Sequence, residues 1–226
     1  IENEYYSDIR PKRNSKQGEK PLTALNEHGV EYIEVRCLDL NPFISLGIDE
    51  EQIHFMDLFL SYCLLSPSPV LAEDECLEVA ENQRHVVLDG RNPEFTLMRK
   101  GTEVTLKDWG LEVLGDMKAL ANLLDEKQGG GQYLSALDAM LERVENSELT
   151  PSAQVLNEMK TKSASFTEFA LQQAQVHGEA HQQALNDEKA QQWQEIAVNS
   201  LQEQKSIELK DSLNFDQYLK EYLNKV

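Results

Sequence analysis

The chain has 226 residues, of which 40% are hydrophobic and 27% charged, and this composition is typical of a soluble globular protein rather than a disordered or fibrous one. It carries 21 Lys and Arg against 40 Asp and Glu, and so acidic a surface, with a net charge of −19, excludes nucleic acid as an expected partner because it repels phosphate backbones. No apolar stretch approaches the roughly 20 residues of a membrane-spanning helix, so we expect no membrane partner either.

The first 20 residues are the one place where positive charge concentrates, with a net charge of +1. The basic side chains of this segment are Arg10, Lys12, Arg13, Lys16 and Lys20. Such a cluster in an acidic protein indicates either a solvated turn or a site for a small anionic ligand, and the turn is the commoner case.

The three cysteines, Cys37, Cys63 and Cys76, match neither a disulfide framework nor a set of zinc ligands. We therefore expect reduced thiols in a cytoplasmic protein. The chain opens with Ile1 and lacks the charged start and apolar core of a signal peptide, which favours a fragment or processed piece of a longer protein.

The front of the chain has mixed α/β character, since six of the seven prolines precede residue 100. Residues 29–40 alternate between apolar and polar side chains and predict a strand that Pro42 stops. Asp49 followed by Gln52 has the spacing of a capping box and predicts the start of a buried helix ending near residues 66–67. Residues 85–88 predict a short extended segment that runs into a turn at 89–93.

The back of the chain favours helix. Apolar residues at helical spacing predict one helix from Asp108 to the glycines at 129–131 and a second over residues 134–144. Thr150 before Pro151 predicts a capped start for a helical tail, whose apolar residues keep helical spacing through a Gln-rich segment.

The strand pattern also predicts a candidate site. Residues i and i+2 of a strand point the same way about 7 Å apart, so Glu34 and Arg36 share one face with Tyr32. One interpretation is a structural ion pair on a solvated strand face. The other is a site where the carboxylate holds a divalent cation and the guanidinium neutralises phosphate oxygens, as phosphoryl transfer requires. The pair alone does not decide between them.

The surrounding sequence carries a family resemblance. Residues 30–43 read VEYIEVRCLDLNPF, and they follow YYSDIRPKR at 5–13 and PLTALN at 21–26. These three segments closely resemble the later part of bacterial, proteobacterial-type glutamate–cysteine ligase (γ-glutamylcysteine synthetase). The resemblance is specific from Tyr5 to about Leu65, weaker over residues 85–97, and beyond about residue 150 it extends only to an acidic helical tail.

The resemblance implies an enzyme that joins the γ-carboxylate of glutamate to the amine of cysteine, with ATP as co-substrate and Mg²⁺ as cofactor, in the first step of glutathione synthesis. It implies that Glu34 binds magnesium, that Arg36 contacts the transferred phosphoryl group and has a catalytic role, and that Tyr6 lines the cysteine pocket. The alternative for Tyr6 is a packing tyrosine. The resemblance assigns no role to Arg10, Lys12 or Arg13.

The remaining reactive side chains are expected to be structural. Cys37 faces away from Glu34 and is expected in the core, and neither Cys63 nor Cys76 has a paired base that would make it a nucleophile. His177 and His181 are four residues apart on a predicted helix, where a solvated face is the expected role in the absence of further metal ligands.

The family resemblance implies an α+β fold, with part of a glutamine-synthetase-like antiparallel sheet followed by a mostly helical C-terminal region. We expect residues 1–106 to be the C-terminal part of the catalytic core and residues 107–226 to complete or flank it. The family's other magnesium and ATP carboxylates lie on earlier strands, so we expect this chain to be inactive without the missing N-terminal portion of the enzyme. Two other functions stay open: an acidic helical module that binds a protein, and a related ATP-dependent ligase with another amine acceptor.

Overall fold

The structure, a computed structural model, describes residues 8–16, 18–182 and 186–224. The described residues divide into two compact units. One contains those within Ile1–Asp39 and Gln182–Val226, and the other is Leu40–His181. The described residues are mainly helical with two small antiparallel sheets, which confirms the predicted α+β class.

In the first sheet, strand β1 (Ile9–Lys12) pairs with strand β2 (Tyr32–Val35). Helix α1 (Pro21–His28) lies between the two strands in the chain. The predicted strand is confirmed, although it ends at Val35 rather than continuing to residue 40. Helix α1 has no predicted counterpart; it begins at a proline and ends at Gly29, whose φ of +76° is in the left-handed region that glycine adopts without strain.

Helix α2 (Glu50–Leu65) confirms the predicted capping signal, since Oδ1 of Asp49 accepts a hydrogen bond from the backbone N–H of Gln52 at 2.9 Å. Helix α3 (Glu73–Asp89) shows that the extended segment predicted at 85–88 is wrong. The three acidic residues of its first turn favour the helix, and it continues to Gly90 despite the β-branched pair Val86 and Val87. The turn predicted at 89–93 is present.

Strands β3 (Thr96–Arg99) and β4 (Thr102–Thr105) form a hairpin with no predicted counterpart. Lys100 and Gly101 make the two-residue turn with φ of +52° and +73°. Both angles are those of the turn type that matches the twist of a hairpin.

The helical region follows the predicted order: α4 (Leu106–Gln128), α5 (Gln132–Glu145), a 3₁₀ turn over Ser147–Leu149, α6 (Pro151–Lys162) and α7 (Phe166–His181). Thr150 caps α6 by accepting a hydrogen bond from the N–H of Ala153. Helices α2, α4 and α5 enclose a core of buried side chains: Leu58, Leu114, Met117, Ala121, Tyr133 and Leu137.

The tail forms α8 (Asp187–Lys210) and α9 (Phe215–Asn224), as the spacing of its apolar residues predicts. Neither helix buries a residue completely. Within the ranges that the structure describes, we find no helix with the length and apolar character needed to traverse a bilayer.

Candidate functional site

The candidate site lies on the two-stranded sheet of β1 and β2. In the antiparallel register, Arg10 lies opposite Glu34 and Lys12 lies opposite Tyr32. Because opposed residues project from the same face of a sheet, the side chain of Lys12 joins those of Glu34 and Arg36 on one face.

Both carboxylate oxygens of Glu34 are held by cations. The Nε of Arg36 donates a hydrogen bond to Oε1 of Glu34 at 2.8 Å. The Nζ of Lys12 lies 3.3 Å from Oε2 of Glu34, and this oxygen atom is buried. The backbone N–H of Arg36 also donates to the carbonyl of Asp8 at 2.7 Å, which continues the strand pairing past Val35 and fixes the start of the arginine side chain.

These contacts keep the carboxyl group of Glu34 ionised. The hydrogen bond from Arg36 is the largest cause of a pKa below the usual 4.5, and Lys12 lowers it further, against a smaller opposing effect of burial. An ionised carboxylate is a hard oxygen donor that suits Mg²⁺. The site therefore combines one potential metal ligand with two cations that can reach an anionic group.

Among the residues that the structure describes, one carboxylate, that of Glu34, is brought to such a site. Mg²⁺ takes about six oxygen ligands, of which several are usually water or phosphate oxygens. In the part of the chain that the structure describes, one group of three metal-ligating side chains converges, and it consists of Glu19, Glu27 and His28 rather than Glu34. Glu34 can therefore supply one ligand to a magnesium ion, and the other ligands must come from elsewhere.

The other candidate residues have different outcomes. Tyr6 lies outside the described residues. Cys37 is exposed, so its expected core position is wrong: the strand ends at Val35, two residues before it. Cys63 and Cys76 are exposed as well. The remaining burial of the Cys63 side chain raises the pKa of its thiol, and a thiol that ionises less readily is a poorer nucleophile.

His177 differs from the expected solvated histidine. Its Nε2 donates a hydrogen bond to the carbonyl of Pro42 at 2.8 Å, while His181 is exposed at the end of α7. The two histidines therefore do not form a metal pair with this geometry.

The sequence placed Lys12 only in the basic cluster of the first 20 residues and did not predict its contact with Glu34. Its contact with Glu34 depends on the register between β1 and β2, which lie about 20 residues apart in the sequence. The alternation of side chains along β1 places Lys12 on the same face as Arg10, but only the pairing shows which residues of β2 lie opposite.

The glutamate–cysteine ligase family model matches residues 1–86, which include the whole of this site. The chain is also 45% identical over 223 residues to glutamate–cysteine ligase from Pseudomonas putida, a match that takes in 98% of the chain. These matches are to members of the glutamate–cysteine ligase family. A second relative, the glutamate–cysteine ligase from Alcanivorax borkumensis, is 45% identical over 99% of the chain.

Solved structures agree with these matches. A crystal structure of glutamate–cysteine ligase from Francisella tularensis in complex with AMP aligns over 98% of the chain with a TM-score of 0.84 and 31% identity. A bifunctional glutathione synthetase from Pasteurella multocida aligns over 78% of the chain with a TM-score of 0.52 and 20% identity, which shows a similar fold.

The chain, residues 1–226, spans less than half the length of its relatives. It covers 42% of the Pseudomonas putida enzyme and 44% of the Francisella tularensis chain. The matches are consistent with a C-terminal portion of a bacterial glutamate–cysteine ligase.

Proposed function

We propose that the chain is the C-terminal portion of a glutamate–cysteine ligase that uses ATP and Mg²⁺. In the first step, the γ-carboxylate of glutamate attacks the terminal phosphorus of ATP, which forms γ-glutamyl phosphate and releases ADP. In the second, the amine of cysteine attacks the acyl carbon, loses a proton and expels inorganic phosphate. The product is γ-glutamylcysteine, the first intermediate of glutathione synthesis.

The single observation that carries this proposal is the 2.8 Å contact between Arg36 and Glu34 on a strand within the family-matched segment. Arg36 is proposed to contact the transferred phosphoryl group, because a fixed guanidinium stabilises charge on phosphate oxygens better than water does. Glu34 positions Arg36 through its Oε1 while Oε2 faces Lys12. Tyr6 is proposed to line the cysteine pocket through its hydroxyl group.

Glu34 is the residue of this chain that would hold magnesium. Bound there, the cation would neutralise charge on the ATP phosphates and so favour attack by glutamate. Since Glu34 is the one carboxylate that the described residues bring to the site, the remaining protein ligands are proposed to come from the N-terminal portion of the enzyme, and the chain alone is proposed to be inactive. Residues 1–106 are proposed as part of the catalytic core and residues 107–226 as its helical flank, in a cytoplasmic enzyme.

The test is co-expression of this chain with the N-terminal portion of the Pseudomonas putida relative, followed by a phosphate-release assay with glutamate, cysteine and Mg-ATP. We expect release only when both pieces are present. Arg36→Ala is expected to lower kcat by about 100-fold or more, which is the usual cost of removing a donor to the transition state.

Arg99→Ala is the matched control. Arg99 also forms a 2.8 Å ion pair with a glutamate, Glu112, but on the β3–β4 hairpin in the other unit. Its variant is expected to keep kcat within about twofold. Equal kcat values for Arg36→Ala and the wild-type complex would show that Arg36 is a structural ion-pair residue and would overturn the proposed role.

A further inference from the structure

Helix α8 carries an apolar stripe that no residue described by the structure covers completely. Trp193, Ile196, Leu201 and Ile207 are 56–61% exposed. At 100° per residue they fall within a sector of about 140° on one side of the helix, together with the small residues Ala197 and Ser200. From Trp193 to Ile207 the stripe is about 21 Å long at 1.5 Å per residue.

Helix α9 repeats the same spacing. Phe215, Tyr218, Leu219 and Leu223 occupy positions i, i+3, i+4 and i+8 and are 38–72% exposed. The rings of Tyr218 and Tyr222 stack with centroids 6.0 Å apart, so the aromatic side chains lie together on this side of the helix. Both helices thus expose an apolar stripe, although Val198 and Leu209 of α8 are also exposed outside its stripe.

A helix with one apolar side and no buried residue lacks the packing that stabilises most protein helices. Helix α8 has 24 residues and buries none of them, whereas α2, α4 and α5 share a core within their own unit. Exposed apolar area of this extent on a folded protein marks an interaction surface.

The length of the relatives indicates what covers the stripe. The alignment with the Pseudomonas putida enzyme includes 98% of this chain, so the tail lies inside the matched region, yet more than half of that enzyme lies outside it. The fold match to the Francisella tularensis enzyme also extends over 98% of the chain. The tail is therefore aligned with proteins that contain a large additional segment.

Charge argues against two other occupants. Residues 187–224 hold eight acidic and four basic side chains, a net charge of −4. This charge repels a second copy of the tail and repels the anionic surface of a bilayer.

We propose that the apolar stripe of α8, defined by Trp193, Ile196, Leu201 and Ile207 and continued by the apolar side of α9, is the surface that docks onto the N-terminal portion of the ligase. This inference rests on the proposed function insofar as it takes the rest of a glutamate–cysteine ligase as the partner. It assigns to the tail the role of joining the two portions, in addition to the catalytic role proposed for the sheet.

The test compares thiol labelling in two proteins: this chain alone, and a full-length chimaera in which this chain replaces the matched portion of the Pseudomonas putida enzyme. Ser200→Cys places the probe within the stripe, and Gln202→Cys places it about 160° away on the same helix. Mass spectrometry of peptides separates these sites from the three natural cysteines. We expect Ser200→Cys to react at least about tenfold more slowly in the chimaera than in the chain alone, and Gln202→Cys to react at similar rates in both.

Equal labelling of Ser200→Cys in the two proteins would overturn the docking surface. Slow labelling in the chain alone that speeds up on dilution would also overturn it, since it identifies a second copy as the occupant. The readout does not depend on catalysis: a protected stripe in an inactive chimaera refutes the proposed function alone, and a labelled stripe in an active chimaera refutes the docking surface alone.

A second measurement applies if the chimaera does not fold. This chain is co-expressed with a tagged N-terminal portion, and the amount that co-purifies is measured for Leu201→Glu and for Gln202→Glu. The two variants add the same charge at adjacent positions of α8, Leu201 within the stripe and Gln202 about 100° around the helix from it. We expect Leu201→Glu to reduce co-purification at least about tenfold, because an unpaired charge is costly to bury, and Gln202→Glu to leave it unchanged. Equal co-purification of the two variants would overturn the proposal. So would the absence of co-purification for the wild type and both variants.

Discussion

Asn82 on α3 contacts Met98 on β3 through both polar atoms of its side-chain amide. Its Nδ2 donates to the Met98 carbonyl at 2.7 Å, and its Oδ1 accepts from the Met98 N–H at 2.9 Å. One residue thus pairs with the hairpin as another strand would. Nearby, the carboxylate of Glu78 accepts hydrogen bonds from the N–H groups of Lys100 and Gly101, both at 2.8 Å. Helix α3 therefore fixes the hairpin at its strand and at its turn.

Asn82→Ala removes both hydrogen bonds to Met98, each of about 1 kcal/mol, and is expected to raise the hydrogen-exchange rate of the Met98 amide by about 5- to 30-fold. Asn82→Asp is the matched control, since it keeps the acceptor for the Met98 N–H and loses only the donor. Its Met98 amide should stay closer to the wild-type rate. Exchange that is unchanged in Asn82→Ala would show that the hydrogen bond to Asn82 does not protect this amide.

Asp125 near the end of α4 caps the start of α5 from a distance. Its two carboxylate oxygens accept from the N–H groups of Tyr133 and Leu134, each at 3.0 Å, and the side chain is buried. Asp125→Ala leaves two buried donors without a partner and is expected to lower the free energy of unfolding in urea by about 2–3 kcal/mol. Glu126→Ala, on the exposed neighbour, should change it by less than about 0.5 kcal/mol. Similar losses in both variants would contradict the capping role.

Helix boundaries were predictable where one or two neighbouring residues determine them. Asp49 and Thr150 each cap a helix through a contact three residues away, and the glycines at 129–131 separate α4 from α5. The extended segment predicted at 85–88 failed because two valines carry only a weak strand preference, which the rest of α3 overrides. The hairpin of β3 and β4 was not predicted, because Lys-Gly is a weaker turn signal than Asn-Gly.

The candidate site was predictable only along one strand. The period of two placed Glu34 and Arg36 on one side, and the structure joins them at 2.8 Å. The contribution of Lys12 depends on pairing between distant segments, which no local pattern encodes. The exposure of Cys37 follows from where β2 ends, and strand ends are set by the partner strand rather than by alternation.

Leu58 is the fully buried residue of α2 and packs in the core that this helix shares with α4 and α5. Leu58→Ala is expected to reduce the free energy of unfolding by about 2–5 kcal/mol, from lost apolar burial and the cavity left behind. Leu64→Ala makes the same change on the same helix at a side chain that is 85% exposed, and should cost less than about 0.5 kcal/mol in this chain. Urea denaturation followed by circular dichroism measures both, and comparable losses would indicate that α2 packs through a different side.

The pKa of Glu34 reports directly on the ion pairs of the site. Carbon-13 NMR of its carboxyl group should give a pKa below the usual 4.5, with the hydrogen bond from Arg36 as the largest cause. Arg36→Ala should raise this pKa toward 4.5, and Lys12→Ala should raise it by less. Because folding lowers the pKa, the pairs stabilise the folded chain fully above pH 4.5, and this stabilisation is lost as the pH falls through the lowered pKa. If Lys12→Ala raised the pKa more than Arg36→Ala, Lys12 rather than Arg36 would be the principal partner of Glu34, and the positioning assigned to the 2.8 Å contact would be wrong.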